Sequence, residues 1–298
     1  MMIWHYEYWG LNVVSELEIP EWSVFEQASG WGAPDVYISV KNTLEPSVSA
    51  RQSVVTADEC RYSIPDIAEY WIRGGREIVI SPDPEAGWRE VRLFLLGSAW
   101  GVLCYQRGLL FLHASVVRMR DRAIGFCGPS GAGKSTIAAA LVAQGCTLVS
   151  DDLCRIIFSP EGGARVYASA RRLRLWSDAL EQFGKEPHGL ERDFFRFDKY
   201  QVPLPDGIDS ASVPLHALYL LEWGELQIAP LGGVTALRRL VGTATYRPDV
   251  LEPMGIVPDH WRRFAELVRR VRVYSLTRPR DWSAIGDVVQ AFEHAGGG

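Results

Sequence analysis

Nine residues, Gly128-Pro-Ser-Gly-Ala-Gly-Lys-Ser-Thr136, combine glycines, hydroxyls and a lysine in one short stretch. Their spacing matches the phosphate-binding loop GxxxxGK[ST]. Glycines let the backbone aim successive N–H groups at one point, and the positive end of a following helix faces that point, so the loop should bind an anion with several oxygens. The residues expected at the anion are Gly128, Pro129, Ser130, Gly131, Ala132, Gly133, Lys134, Ser135 and Thr136.

The expected anion is the phosphate chain of a nucleotide. Lys134 would reach the β- and γ-phosphates, and the Ser135 hydroxyl would join the coordination of Mg²⁺. Lysine is rare in this sequence, which makes a chance match of the motif improbable. The alternative is a glycine-rich turn with a solvated lysine.

Two adjacent acids, Asp151 and Asp152, follow the apolar run 147–150 soon after this loop. Consecutive side chains of a strand point in opposite directions, so the two carboxylates are expected to take different roles. One would hold the metal ion, and the other would face the acceptor and take the proton of an attacking hydroxyl. The alternative is a pair of acids that merely ends a strand in a solvated loop.

The hydrophobic pattern predicts the elements that position these residues. A buried strand over 122–127 leads into the loop, and a helix over 135–144, closed by Gly145, leads out of it. Strand, glycine loop and helix in succession is the arrangement that the motif requires.

The chain is expected to divide near residue 106. Residues 1–105 alternate short β-type runs with turn clusters, which predicts a small strand-rich domain that ends in a helix over 91–105. Residues 106–298 alternate strands and helices, which predicts an α/β domain with helices packed on a central sheet. Its further predicted elements are strands over 110–118, 147–150 and 215–222 and helices over 259–271 and 281–294.

Composition is typical of a soluble enzyme. The chain has 298 residues, 47% of them hydrophobic, and a net charge of -5, which gives no sign of a nucleic-acid partner. The longest apolar run, 93–105, is too short to span a bilayer, and no N-terminal signal is evident, so no membrane partner is expected. The five cysteines form no CxxC pair. We therefore expect reduced thiols in a cytoplasmic protein.

Three features in order resemble the catalytic half of HPr kinase/phosphorylase. They are His113-Ala-Ser115, the phosphate-binding loop, and Ser150-Asp-Asp152. The resemblance covers about residues 106–280 and implies a P-loop kinase core of the HPr kinase and phosphoenolpyruvate carboxykinase type, preceded by the strand-rich domain. Carried over by position, it implies Asp151 as the base for a seryl hydroxyl, His113 as its neighbour, and Ser135 with Asp152 as ligands of Mg²⁺.

The segments that follow depart from that family, because no glycine-containing stretch similar to LEIRGLG occurs after the acid pair. The sequence instead looks like the HPr-kinase-like proteins found beside lasso-peptide biosynthesis enzymes, some of which phosphorylate a serine of the precursor peptide. The residues that carry this resemblance are 8–16, 19–20, 170–178, 198–200 and 244–248. It implies a peptide or protein with an acceptor serine as the partner. A homo-oligomer remains open.

Several basic residues are candidates for contacts with phosphate or with a substrate carboxylate. Arg247, fixed by the following Pro248, is the one expected to contribute to catalysis. Arg171, Arg172 and Arg174 lie in a predicted strand, and for each a solvated basic face is an equal alternative.

The sequence therefore predicts an ATP- and Mg²⁺-dependent kinase that acts on a serine hydroxyl. Two alternatives remain: a P-loop kinase acting on a sugar or hydroxy acid, and a nucleotide-binding regulator without turnover. A transport ATPase and a GTPase are disfavoured, because neither an LSGGQ segment nor an NKxD motif occurs. The role of residues 1–105 stays open between capture of an extended peptide on a strand edge and cover of the catalytic core.

Overall fold

The computed structural model describes residues 2–28, 32–42, 54–169, 171–192, 198–204 and 212–295, and it shows a mixed α/β chain. Ala170, the first residue of the segment 170–178, lies outside the described residues. The chain forms two compact units. The first contains Met1–Phe111 and Tyr246–Arg262, and the second contains Leu112–Thr245 and Arg263–Gly298. Residues 246–262 therefore group with residues 1–111 and not with the segments next to them in sequence.

The first unit is built on a seven-stranded sheet. Its strand order is β1-β2-β3-β7-β6-β5-β4. A helical stretch follows the sheet, with one π turn at Leu95–Ala99 between two α-helices. The elements are β1 (Trp4–Tyr8), β2 (Leu11–Ser15), β3 (Val36–Val40), β4 (Val54–Val55), β5 (Glu59–Ile64), β6 (Ala68–Arg73), β7 (Glu77–Pro82), α1 (Trp88–Phe94) and α2 (Trp100–Gln106), with a 3-10 turn at Pro20–Phe25.

Aromatic side chains fill the core of the first unit. The rings of Tyr8 and Trp22 stack with centroids 4.3 Å apart, and Trp100 meets Trp22 edge-on at 5.0 Å. Each such side chain buries a large apolar area, and aromatic pairs add to that gain. These contacts fix α2 against β1 and the 3-10 turn.

Residues 246–262 are held in the first unit by a close fit between a tyrosine and a helix. A Cβ atom on Gly101 would lie 3.0 Å from Tyr246 Cδ1, so glycine is required where the ring lies on the helical stretch. The Tyr105 hydroxyl donates to the carbonyl of Tyr246 at 2.5 Å. Val250 and Met254 are then buried behind this contact.

The second unit contains an eight-stranded mixed sheet and a separate three-stranded sheet. In the large sheet the order is β10-β8-β11-β12-β16-β18-β17, and β9 pairs with β16 and β8. The small sheet has the order β13-β15-β14. The elements are β8 (Leu110–Met119), β9 (Arg122–Cys127), α3 (Lys134–Ala143), β10 (Thr147–Ser150), β11 (Leu153–Phe158), β12 (Ala164–Tyr167), β13 (Arg172–Trp176), α4 (Ser177–Gln182), β14 (Glu191–Arg192), β15 (Lys199–Pro203), β16 (Ser212–Trp223), β17 (Gln227–Leu231), α5 (Gly233–Ala244), α6 (Val257–Arg270), which begins in the first unit, β18 (Arg272–Arg278) and α7 (Ala284–Ala295).

Three parallel strands form the part of the large sheet that matters for the site. β16 pairs in parallel with β9 on one side and with β18 on the other. Helix α3 packs on this sheet through Ile137 and Leu141, which are buried in one apolar cluster with Phe126, Tyr219 and Phe292. The carboxyl ends of the three strands therefore open at one edge, where the glycine loop between β9 and α3 lies.

Two general expectations can be compared with the described residues. None of the helices in that part of the chain is long and apolar enough to cross a membrane. The five cysteines are thiols, four of them buried.

Candidate active site

A cleft of about 230 Å³ lies at the carboxyl edge of the three parallel strands, within the second unit. It is lined by the glycine loop, by the acid pair, by one face of the small sheet and by the ends of β16 and β18. The lining residues are His113, Ser130, Gly131, Gly133, Lys134, Ser135, Thr136, Asp151, Asp152, Arg174, Trp176, Asp178, Lys199, Trp223, Arg278, Arg280, Asp281, Trp282 and Ile285.

The loop has the strand, glycine turn and helix that its motif predicts. β9 ends at Cys127, and α3 begins at Lys134. Gly131 and Gly133 both have φ of +84°, a conformation that side chains with a Cβ rarely adopt. Gly133 is the residue before α3, and no side chain caps the helix there. The amino end of α3 is therefore left to an anion.

Lys134 is buried and lies along its own loop. Its Nζ donates to the carbonyls of Gly128 at 2.8 Å and Pro129 at 3.2 Å. These bonds hold the ammonium group at the start of the loop, inside the cleft. The predicted loop lysine thus lies beside the helix end that is suited to an anion.

Asp151 lies against the loop, and Asp152 does not. The Ser135 hydroxyl donates to the Asp151 carboxylate, with its oxygen 2.9 Å from Oδ1 and 3.2 Å from Oδ2. The buried Ser115 hydroxyl donates to the same carboxylate, and the backbone N–H of Arg174 reaches Oδ2 at 2.9 Å. Asp151 is therefore the acid next to the loop serine.

Asp152 faces the histidine instead. His113 Nε2 lies 3.4 Å from Asp152 Oδ1, and Arg174 Nη1 donates to Oδ2 at 2.8 Å. The pairing expected from the family resemblance, Asp151 with His113 and Asp152 with Ser135, is thus exchanged in the structure. The reason is local: β10 ends at Ser150, and Asp152 has a φ of +81°, which turns its side chain away from that of Asp151.

One strand supplies a partner to each acid. His113 and Ser115 are two residues apart in β8, so their side chains lie on the same face of the strand. From that face Ser115 reaches Asp151 and His113 reaches Asp152. The segment 113–115, the phosphate-binding loop and the acid pair are separate in sequence, and in the structure their side chains form one connected group.

The charge of Asp152 is strongly stabilised. Burial alone would raise the pKa of Asp152, but the Arg174 guanidinium, followed by His113, holds it well below its usual range. This carboxylate is therefore ionised across the neutral pH range. Arg174, one of three arginines left open by the sequence, is the one that lines the cleft and pairs with this acid.

Two lining residues, Trp223 and Arg278, are absent from the sequence-based predictions and come from the ends of β16 and β18. Trp176 and Lys199, from the small sheet, lie in segments that carry the family resemblance, but the sequence predicts no role at the site for Trp176 and leaves Lys199 open between a phosphate contact and a surface salt bridge. The strand β18 was itself not predicted, although the β-branched and aromatic residues of 271–277 are the pattern that indicates one. Nothing in the local pattern indicates that its last residue, Arg278, lies beside a loop far away in sequence.

Arg247 does not line the cleft. It belongs to the first unit, where its guanidinium pairs with Asp249 at 2.9 Å and donates to Ser98 at 3.1 Å. Its φ of +46° places it in the left-handed region just before Pro248. These contacts give Arg247 a structural role in the segment 246–262, and from them we predict no catalytic one.

If the protein consumes ATP, as its sequence predicts, replacing Arg247 by glutamine is expected to leave the rate within about twofold of the parent. An exposed ion pair contributes about 0–1 kcal/mol, so the free energy of unfolding should fall by no more than that. Steady-state ATP consumption and chemical denaturation measure the two quantities. A loss of turnover above tenfold, with unchanged stability, would return Arg247 to the catalytic group.

Comparison with known proteins adds little to this geometry. No protein-family model matches the chain, and no curated protein matches it. Among solved structures, the chain is similar to the Hpr(Ser) kinase/phosphatase from Coxiella burnetii, with a TM-score of 0.35 and 10% sequence identity, over 62% of this chain and 95% of that chain. A similarity this weak carries no argument about function, which must come from the site itself.

Proposed function

We propose that this protein is an ATP- and Mg²⁺-dependent kinase that transfers the γ-phosphoryl group of ATP to a serine hydroxyl of a peptide or protein. One observation carries the proposal. Beside an uncapped helix start, Asp151 contacts the loop hydroxyl of Ser135 at 2.9 Å, while the next residue, Asp152, faces His113 at 3.4 Å. Phosphoryl transfer uses one acid that holds the metal ion and a second acid that meets the acceptor hydroxyl, both close to the bound phosphates.

The residues around the loop fit a triphosphate chain. The backbone of Gly131 and Gly133 and the amino end of α3 supply N–H groups, and Lys134 adds a positive charge within the same cleft. The N–H groups and the Lys134 ammonium are all positive, so they attract a polyanion more strongly than a neutral ligand. Because these charges are partly buried, salt screens the attraction less than it would on the surface.

Ser135 and Asp151 are the residues that would hold Mg²⁺. Both offer oxygen atoms, the ligands this ion prefers, and one or two carboxylates are enough when phosphates and water complete its shell. Among the described residues no group of three or more His, Cys, Asp or Glu could hold a metal ion. When bound, Mg²⁺ neutralises charge on the β- and γ-phosphates.

Asp152 is the acid proposed to meet the acceptor. Its carboxylate accepts the seryl proton as the bond from the seryl oxygen to the γ-phosphorus forms and the bond from that phosphorus to the β-phosphate oxygen breaks, releasing ADP. Arg174 and His113 orient the carboxylate. Because the carboxylate stays ionised at neutral pH, it is available to accept this proton.

The far end of the cleft supports a peptide as acceptor. Trp176, whose side chain is 39% exposed, lies near Lys199, whose Nζ is 6.0 Å from the centre of the indole ring, and Asp178 lines the same end. Exposed aromatic rings are enriched on surfaces that bind other polypeptides. The resemblance to kinases of lasso-peptide precursors makes such a precursor the first acceptor to test.

Mass spectrometry of a serine-containing precursor peptide, after incubation with the protein, ATP and Mg²⁺, tests the proposal. We expect a mass increase of one phosphoryl group on a serine, absent with the Lys134→Ala variant. ATP turnover that responds to sugars or hydroxy acids but not to peptides would favour the small-molecule kinase. ATP binding without transfer to any acceptor would favour the regulator.

A further inference from the structure

Arg278, the last residue of β18, is buried against the glycine loop. Its side chain is 4% exposed and lines the cleft. Its Nη2 donates to the carbonyl of Ala132 at 3.0 Å. A Cβ atom on Gly133 would collide with the same nitrogen, so the guanidinium occupies the space that glycine leaves at that position.

The positive charge of Arg278 is not balanced within the described part of the chain. No carboxylate of those residues forms an ion pair with it, and its buried Nε has no hydrogen-bond partner there. Two other partly buried arginines do form ion pairs, Arg92 with Glu21 and Arg174 with Asp152. The nearest compensation is the ring of Trp223, whose centre lies 4.3 Å from the guanidinium carbon.

A buried cation without a counter-charge is costly, because its lost hydration is not replaced by an ion pair. Burial lowers the pKa of Arg278 to about 10, which still leaves the group charged at neutral pH. The cleft thus maintains a positive charge that no carboxylate of the described residues balances. Such a charge is typical of a site that is completed by an anionic ligand.

We propose that Arg278 is a second phosphate-binding cation of the nucleotide site, acting opposite Lys134. The inference rests on the proposed function. Lys134 is bonded to the carbonyls at the start of the loop, whereas Arg278 is bonded to the carbonyl near its end. The two cations therefore flank the loop, and a phosphate chain on its N–H groups meets one at each side. Arginine suits this task because its guanidinium donates to two phosphate oxygens at once.

The test compares Arg278→Met and Arg278→Lys with the parent by calorimetric titration with ADP and with inorganic pyrophosphate. Arg278→Met should weaken both ligands about 10- to 100-fold, the range for loss of a hydrogen bond to a charged group. Arg278→Lys, which keeps the charge, should lose less. Without ligand, the melting temperature of Arg278→Met should equal or exceed that of the parent, because an unpaired buried charge is removed.

Arg272→Met is the matched control, because Arg272 is an exposed arginine at the other end of β18. Its affinity for ADP should stay within threefold of the parent. The inference fails if the affinity of Arg278→Met for ADP also stays within threefold of the parent while Lys134→Ala no longer binds ADP. That result would leave the proposed function intact. If the parent binds neither ADP nor pyrophosphate, both fail. If Arg278→Met does not fold, Arg278→Lys decides the question. An ADP affinity of Arg278→Lys within threefold of the parent would overturn the inference, and a larger loss, with Arg272→Met unchanged, would support it.

Discussion

Replacing Lys134 by alanine is expected to abolish phosphoryl transfer and to weaken ATP binding about 10- to 100-fold. The ammonium group lies at the start of the loop, within the cleft, and is the cation that the motif assigns to the β- and γ-phosphates. Without it, charge on the transferred group is poorly neutralised in the transition state. Single-turnover transfer from labelled ATP and fluorescence titration with ADP measure the two effects.

Lys185→Ala is the matched control, because Lys185 is exposed and does not line the cleft. It should leave both quantities unchanged. Transfer by Lys134→Ala within a few-fold of the parent would contradict the assignment of residues 128–136 as a phosphate-binding loop.

The two acids should respond differently to replacement by asparagine. Asp152→Asn is expected to keep the affinity for ADP while lowering the transfer rate roughly 10²–10⁴-fold, the usual effect of a lost general base. Asp151→Asn is expected to raise the Mg²⁺ concentration required for half-maximal rate, with recovery at high Mg²⁺. Rates measured across a Mg²⁺ series at fixed ATP separate the two outcomes.

The pH dependence of the parent adds an independent check. Since the pKa of Asp152 is held well below its usual range by Arg174 and His113, its protonation should not limit the rate between pH 5 and pH 9.

Recovery of Asp152→Asn, rather than of Asp151→Asn, by added Mg²⁺ would mean that the roles expected from the family resemblance are right and those derived from the contacts are wrong.

The strand and the helix that flank the glycine loop could be predicted from the sequence. Strand β9 has the predicted bounds, and α3 begins one residue earlier than predicted. These elements follow from short-range patterns: a buried run, glycines and an apolar stripe with helical spacing. The helix predicted over 91–105 likewise lies within the stretch from Trp88 to Gln106, which contains one π turn.

The partners of the two acids could not be predicted in the same way. Alternation along a strand indicates that Asp151 and Asp152 differ, but which of them meets the loop depends on the backbone turn at Asp152 and on the pairing of β8 with β10. The position of Arg278 depends on the parallel pairing of β16 with β18. Such relations join residues that are distant in sequence, and no local pattern records them.

The placement of residues 246–262 in the first unit has a consequence for how the chain folds. Residues 1–111 cannot complete their core during synthesis until Val250 and Met254 have emerged, after all of 112–245. The second unit must likewise wait for β18 and α7. The core of each unit is completed by contacts between residues that are far apart in sequence, and such contacts slow folding. The two units therefore cannot finish folding one after the other from the amino terminus during synthesis. A fragment that starts at residue 106 would lack Gly101, on which Tyr246 packs, and we therefore expect its segment 246–262 to lose its packing partner.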